Sequence, residues 1–327
     1  MSGSRTVFAI AFVVALLPSM GLAFPLNSKE APEDQGDLLS IQEALQKALP
    51  QARAATVCID LGEGSGSGVI VSEDGLVMTA AHVSTGVGKK LTVIMPDGKR
   101  LKAKSLGLRA DADAALIQIE EKDEGPFPFV EISQTGDTKL GDWIFSLGHS
   151  GGFDKARGAV VRLARLVRIA NNTIQTDGTL IGGDSGGPLF DMEGRLVGIH
   201  SRVGPQLPVN MHVPMSVFLE SLEEMKASEF IGEGPFAKLP EKGKGFLGIA
   251  TEAAEGGLKI TKVGAKSPAD KAGLKEGDLI RKLNGAELAE REDLKSELAE
   301  MAPGDELELE IVREGKDEKI KLELGKR

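Results

Sequence analysis

A serine set among glycines is the chemically suggestive stretch: residues 182–190 read Gly-Gly-Asp-Ser-Gly-Gly-Pro-Leu-Phe. Small neighbours let a reacting carbonyl approach the Ser185 hydroxyl. They also leave the backbone N–H groups of Gly183 and Ser185 free to converge on one point, where two donors can hold the oxyanion of an acyl-transfer intermediate. A serine alone is a weak nucleophile and needs a base within hydrogen-bond reach. His82 ends the upstream run Thr79-Ala80-Ala81-His82, and between them Asp113 opens Ala-Ala-Leu-Ile-Gln-Ile. In such a set, His82 takes the hydroxyl proton and returns it to a leaving amine. Asp113 fixes the imidazole tautomer and stabilises the imidazolium. Asp111 is the rival carboxylate; Asp113 is preferred because it abuts the apolar run and is drawn inward.

Other chemistries find less support. The remaining histidines, His149, His200 and His212, form no His-Glu-x-x-His pattern, and there is no cysteine cluster, so neither a metal site nor a cofactor is expected. The single cysteine, Cys58, excludes an intrachain disulfide and reads as a small buried hydrophobe in a strand. A net charge of −10 without a basic cluster argues against nucleic acid as a partner.

The elements that must position these groups are strands. Glycine is abundant (41), aromatics are few and tyrosine is absent, which suits a turn-rich β protein with an aliphatic core. Asp74-Gly75 and Asp97-Gly98 sit between apolar runs as hairpin turns. Strands are expected at 57–61, 68–71, 76–79, 91–95, 99–106, 114–120, 142–147, 159–169, 173–176, 189–190 and 195–201, with a closing helix at 214–225. Residues 1–23 carry Arg5, an apolar run Val7–Leu17 and Gly21-Leu22-Ala23, the pattern of a signal peptide, so the rest is expected to be exported, periplasmic or secreted. An uncleaved anchor is the alternative. Residues 24–54 form a polar leader and a helix, with Asp37 as cap and Pro50 as its end. The stripe Leu38, Leu39, Ile41, Leu45 and Leu49 serves either packing or a neighbouring subunit.

Taken together, Thr-Ala-Ala-His, Asp-x-Ala-Leu-Ile-Gln-Ile and Gly-Asp-Ser-Gly-Gly-Pro-Leu, in the order His, Asp, Ser, resemble a trypsin-like serine protease. Ile174-Gln175-Thr176-Asp177 and a second unit narrow the resemblance to the HtrA (Deg) family. That unit contains Gly245-Phe-Leu-Gly-Ile and Ser267-Pro-Ala-Asp-Lys-Ala-Gly-Leu-Lys-Glu-Gly-Asp-Leu-Ile, and resembles a PDZ domain. The implied fold is mainly β: a chymotrypsin-like double β-barrel over 55–227, a Gly- and Pro-rich linker over 228–244, and a PDZ domain over 245–327. The implied activity is endopeptidase cleavage of unfolded or damaged proteins. The PDZ unit would capture peptide C-termini, with backbone N–H groups near Phe246, Leu247 and Gly248 on the carboxylate and Ile249, Leu294 and Leu298 lining the side-chain pocket. A homotrimer is also implied. A non-proteolytic holdase on the same fold is the alternative.

Substrate contacts implied by the resemblance are His200, Ser201 and Arg202 on the substrate-pairing strand and Thr179 at the base of the specificity pocket. Thr179 is not acidic, which argues against a preference for Lys or Arg. Two departures from the HtrA pattern stand out. Asp184 replaces the usual asparagine before the nucleophile, and Leu147-Gly-His149 replaces a Gly-Asn-Pro. A buried carboxylate needs a partner; Arg157, Arg168, Arg202 or loop N–H groups are the candidates. The short stretch 62–68 leaves no room for a long regulatory loop, so a large closed-cage assembly is not expected.

Overall fold

The computed structural model describes residues 25–326 apart from 63, 122–123, 135–136, 205–209 and 239–241. The signal segment read over 1–23 lies outside the described residues. Among the described residues, no helix is long and apolar enough to cross a membrane.

Alternating short strands and glycine turns build two barrels. The first contains β1 (Thr56–Asp60), β2 (Ser65–Ile70), β3 (Leu76–Thr79), β4 (Lys90–Ile94), β5 (Arg100–Arg109) and β6 (Ala114–Ile119), closed by pairing of β5 with β6. The second is a closed barrel of β7 (Trp143–Gly148), β8 (Val160–Ala170), β9 (Thr173–Thr176), β10 (Pro188–Asp191), β11 (Leu196–Val203) and β12 (Asn210–Pro214). Strand β12 has no expected counterpart above; its Asn-Met-His-Val-Pro sequence carries no turn signal of its own and is identified only by its pairing with β9 and β11. The glycine-serine stretch does not remain a loop. Ser65–Gly68 makes up four of the six residues of β2, because Ser67 and Gly68 are buried against β1.

The N-terminal helix α1 (Gln35–Ala55) runs through Pro50 instead of ending there. Proline inside a helix costs about 3 kcal/mol, but continuing the helix buries Ala52 and Ala55 on the protease core beside Ile41 and Ala48. The cap is Asp34, whose carboxylate accepts from the N–H of Asp37; Asp37 in turn accepts from Lys29 and from the N–H of Glu33. Leu38 and Leu39 remain exposed.

The short helix α2 (Ala81–Ser84) follows β3 and leads toward β4. Helices α3 (Met215–Glu220) and α4 (Leu222–Lys226) close the protease unit, and β13 (Phe230–Ile231) then adds a parallel strand to β5. The start of the Gly- and Pro-rich connection is therefore laid against the first barrel. Among the described residues, β14 (Gly245–Phe246) pairs with β21 (Gly325–Lys326). The remaining C-terminal sheet follows the order β15 (Ile249–Ala254), β16 (Gly257–Val263), β17 (Leu279–Leu283), β19 (Glu306–Arg313) and β20 (Lys316–Glu323). Strand β18 (Ala286–Glu287) pairs off β17. Helices α5 (Pro268–Lys271) and α6 (Arg291–Ala299) cover this sheet. Leu258, Ile260, Ile280, Leu283, Leu309 and Ile311 form its separate core.

Candidate active site

His82 sits in α2, directly after β3, and Asp113 immediately precedes β6, which pairs with β3. Strand pairing thus brings the two side by side. Asp113 adopts φ +64, a left-handed conformation that a non-glycine residue rarely takes, and is fully buried. Its carboxylate meets His82 Nδ1 at 3.0 and 3.1 Å and accepts the backbone N–H of His82 at 3.1 Å. Ser201 Oγ, from β11 of the other barrel, donates to Asp113 Oδ2. Asp111 instead faces outward and pairs with Arg109.

Ser185 lies on the turn before β10, and its loop is tied to the first barrel through Ser67. The Ser67 N–H donates to Ser185 O at 2.7 Å and its hydroxyl to Gly183 O at 2.8 Å, while the same hydroxyl accepts from the N–H of His149. Thr79, three residues before His82, donates to Ser67 O. This buried serine was missed as a site residue above. Its one signal is a polar residue inside a strand whose remaining residues after Ser65 are glycine and aliphatic. Gly186 has φ +82, and a Cβ there would lie 2.2 Å from Ser67 O and from Thr79 Oγ1, so the turn closes only on glycine.

The orientation of the 182–183 peptide follows from its carbonyl. Gly182 O accepts from Gly151 N–H at 2.7 Å, in the 148–152 loop. In a trans peptide the adjoining N–H points the opposite way, so Gly183 N–H is turned from that loop. Among the described residues neither Gly183 N–H nor Ser185 N–H has a protein acceptor, and no hydrogen bond joins His82 Nε2 to the Ser185 hydroxyl.

The partner of Asp184 is none of the arginines anticipated. Arg162, on β8 opposite Ser146 of β7, reaches Asp184 Oδ2 at 3.0 Å. Ser150 Oγ donates to Oδ1 at 2.5 Å and Ile181 N–H to Oδ2 at 2.9 Å. Arg157 binds Gly152 O and Arg202 stacks over the Phe236 ring, so both point elsewhere. Residue spacing could not single out Arg162, because its reach depends on the β7–β8 register.

Other expected contacts are redistributed. His200 is fully buried and faces inward, its Nδ1 2.9 Å from His212 Nδ1, with Thr176 Oγ1 on His212 Nε2. The ring is thus no surface contact; the next residue, Ser201, is also buried and turns to Asp113. Burial pulls the His200 pKa down to about 3 and holds His212 well below the ordinary range. His149, also buried, is pushed down to about 4 for the same reason. Thr179 is exposed instead of lying at a pocket base. The inward position is Leu180, whose N–H donates to Asn210 Oδ1. Among the described residues no cluster of metal-ligating side chains occurs.

In the C-terminal unit, Phe246, Leu247, Gly248, Ile249, Leu294 and Leu298 all line one groove of about 680 Å³ between β15 and α6. Strand β15 is an edge of its sheet, the position that accepts an added peptide strand.

Comparison with known proteins agrees with this division. Residues 66–199 match the trypsin-like peptidase domain and residues 245–324 the PDZ domain. The chain is 32% identical over 269 residues to a probable periplasmic serine endoprotease DegP-like of Ectopseudomonas mendocina, covering 80% of this chain and 56% of that one. A protein of the same description from Hahella chejuensis is 30% identical over 272 residues, 80% of this chain and 57% of that one. The chain spans a little over half the length of the curated relatives it matches. The crystal structure of a serine endoprotease from Yersinia pestis is similar over 91% of this chain and 99% of that chain, with a TM-score of 0.49 and 22% identity. With both domains matched in this order, the chain carries a trypsin-like peptidase domain followed by a C-terminal PDZ domain and is similar in sequence to serine endoproteases described as DegP-like.

Proposed function

We propose that the chain is an exported, periplasmic serine endopeptidase that cleaves unfolded or damaged proteins. Ser185 is the nucleophile, His82 the general base and then acid, and Asp113 the group that orients the imidazole. The observation that carries this is the buried Asp113 carboxylate receiving both His82 Nδ1 and the Ser201 hydroxyl beside the glycine-flanked serine. Attack by Ser185 Oγ on a peptide carbonyl passes its proton to His82 Nε2. The carbonyl oxygen becomes an oxyanion held by the N–H groups of Gly183 and Ser185, both without acceptors among the described residues. Collapse breaks the C–N bond, the amine leaves with the proton from His82, and water repeats the cycle on the acyl-enzyme. The bond between His82 Nε2 and the Ser185 hydroxyl is one that tightens in the Michaelis complex.

The groove between β15 and α6 supports capture of peptide C-termini, and the exposed Leu38 and Leu39 give an apolar face of the kind a neighbouring copy in a homotrimer would cover. Casein digestion by the wild type and by Ser185→Ala tests the reading. Activity is expected to vanish in the variant; equal digestion by both would remove the assignment.

A further inference from the structure

The carboxylate of Asp184 neighbours the nucleophile and is 0% exposed, yet its counter-ion comes from inside the same barrel. Arg162 Nη2 bridges two groups at once, Asp184 Oδ2 at 3.0 Å and Ser150 Oγ at 2.8 Å, and Ser150 closes the triangle onto Asp184 Oδ1. The Arg162 side chain is only 17% exposed, so the pair is shielded from water. The surroundings are shaped around it. At Gly148 a Cβ would lie 2.5 Å from Asp184 Oδ1 and 3.0 Å from its Cα, so the end of β7 makes room for the carboxylate. The Ile181 N–H, three residues back, folds onto the same oxygen that Arg162 holds. One cluster therefore fixes the loop from 181 to 184, which carries the Gly183 N–H.

We propose that Arg162 and Ser150 are positioning residues that lock the nucleophile loop in its working shape from within the chain. This rests on the reading of Ser185 as nucleophile and of Gly183 and Ser185 as oxyanion donors. A trypsin-like fold that places an aspartate before the serine must neutralise it before the loop can form. Here the neutralising charge arrives with β8 as the second barrel closes. Formation of the site then requires neither a freed N-terminal amine nor an external ion. The side chains act through the loop and touch no substrate.

The test uses the full chain in four forms: wild type, Arg162→Met, Arg162→Lys and Ser150→Ala, with peptide kinetics, fluorophosphonate labelling of Ser185 and thermal melts. Arg162→Met is expected to lower kcat about 100-fold, the size of losing one oxyanion donor. KM should change little, labelling should slow in parallel, and millimolar methylguanidinium should restore part of both. Arg162→Lys keeps a cation and is expected to retain most activity, while Ser150→Ala loses about tenfold. Blocking the N-terminal amine of the wild type should leave kcat unchanged. Wild-type kcat and labelling in Arg162→Met would overturn the proposal. So would full activity in Ser150→Ala with Arg162→Met merely unfolded, or loss of wild-type activity on blocking the amine. The Ser185→Ala control separates these outcomes: activity in that variant sinks the nucleophile assignment itself, whatever the Arg162 variants do.

Discussion

Acidification from pH 7.5 to 5 should destabilise the protease unit through its buried histidines. His149 and His200 are held neutral by burial, with pKa values pushed down to about 4 and about 3, and the charge of Arg162 acts on His200 in the same direction. In the unfolded chain a histidine titrates near 6.5. Below that pH the unfolded state binds protons that the folded state refuses, so stability falls as pH drops, and continues to fall until the folded pKa is reached. At pH 5 each of the two contributes a loss of about 2 kcal/mol, about 4 kcal/mol together. His212, also lowered, adds to the loss. Protonating the pair would set two donors face to face across the 2.9 Å His200–His212 contact. Asp142, Asp191 and Glu193 have raised values from burial and oppose the trend, gaining as they protonate. Against a typical stability of about 5–15 kcal/mol the net effect is large. Urea unfolding followed by fluorescence of Trp143, the single tryptophan, reads the protease barrel alone. The free energy should fall by several kcal/mol over this range, and His149→Gln should flatten the fall by about 2 kcal/mol. A stability that is level from pH 7.5 to 5, or a fall unchanged in His149→Gln, would refute the reasoning.

Ser201→Ala removes one of the hydrogen bonds that hold Asp113, so kcat on a peptide substrate should fall about tenfold with KM little changed, the low end for a bond to a charged group. Gly186→Ala forces a side chain into φ +82 and onto Ser67 O; strain of about 1–2 kcal/mol adds to the clash, and both melting temperature and Ser185 labelling should drop. Leu298→Asp, at the half-buried rim of the groove between β15 and α6, should weaken a C-terminal peptide with an apolar last residue at least tenfold by fluorescence polarisation, leaving the protease melt unmoved. Cys58 is fully buried, and burial pushes its thiol up to about 11, so thiol reagents should modify it only after unfolding.

Local chemistry made much of this protein legible in its sequence. Glycine turns at 75 and 98 fix hairpins because only glycine takes their positive φ cheaply. Alternating aliphatic runs mark strands, and His82, Asp113 and Ser185 stand out because each sits at the edge of a strand. What depends on through-space register was not legible. Pro50 reads as a helix end until Ala52 and Ala55 find a barrel to bury against. His200 reads as a substrate contact until the closed barrel turns its ring toward His212. Ser67 is distant in the chain from Ser150 and Arg162, and all three are ordinary in type. Only the pairing of β7 with β8 and the approach of β2 to the turn carrying Ser185 bring them to Gly183 and Asp184. The sequence determined which groups could react, because reactivity follows residue type and its immediate neighbours. The tertiary structure decided which charges and hydroxyls hold those groups still, because a buried ion takes whatever partner the packing of distant strands delivers.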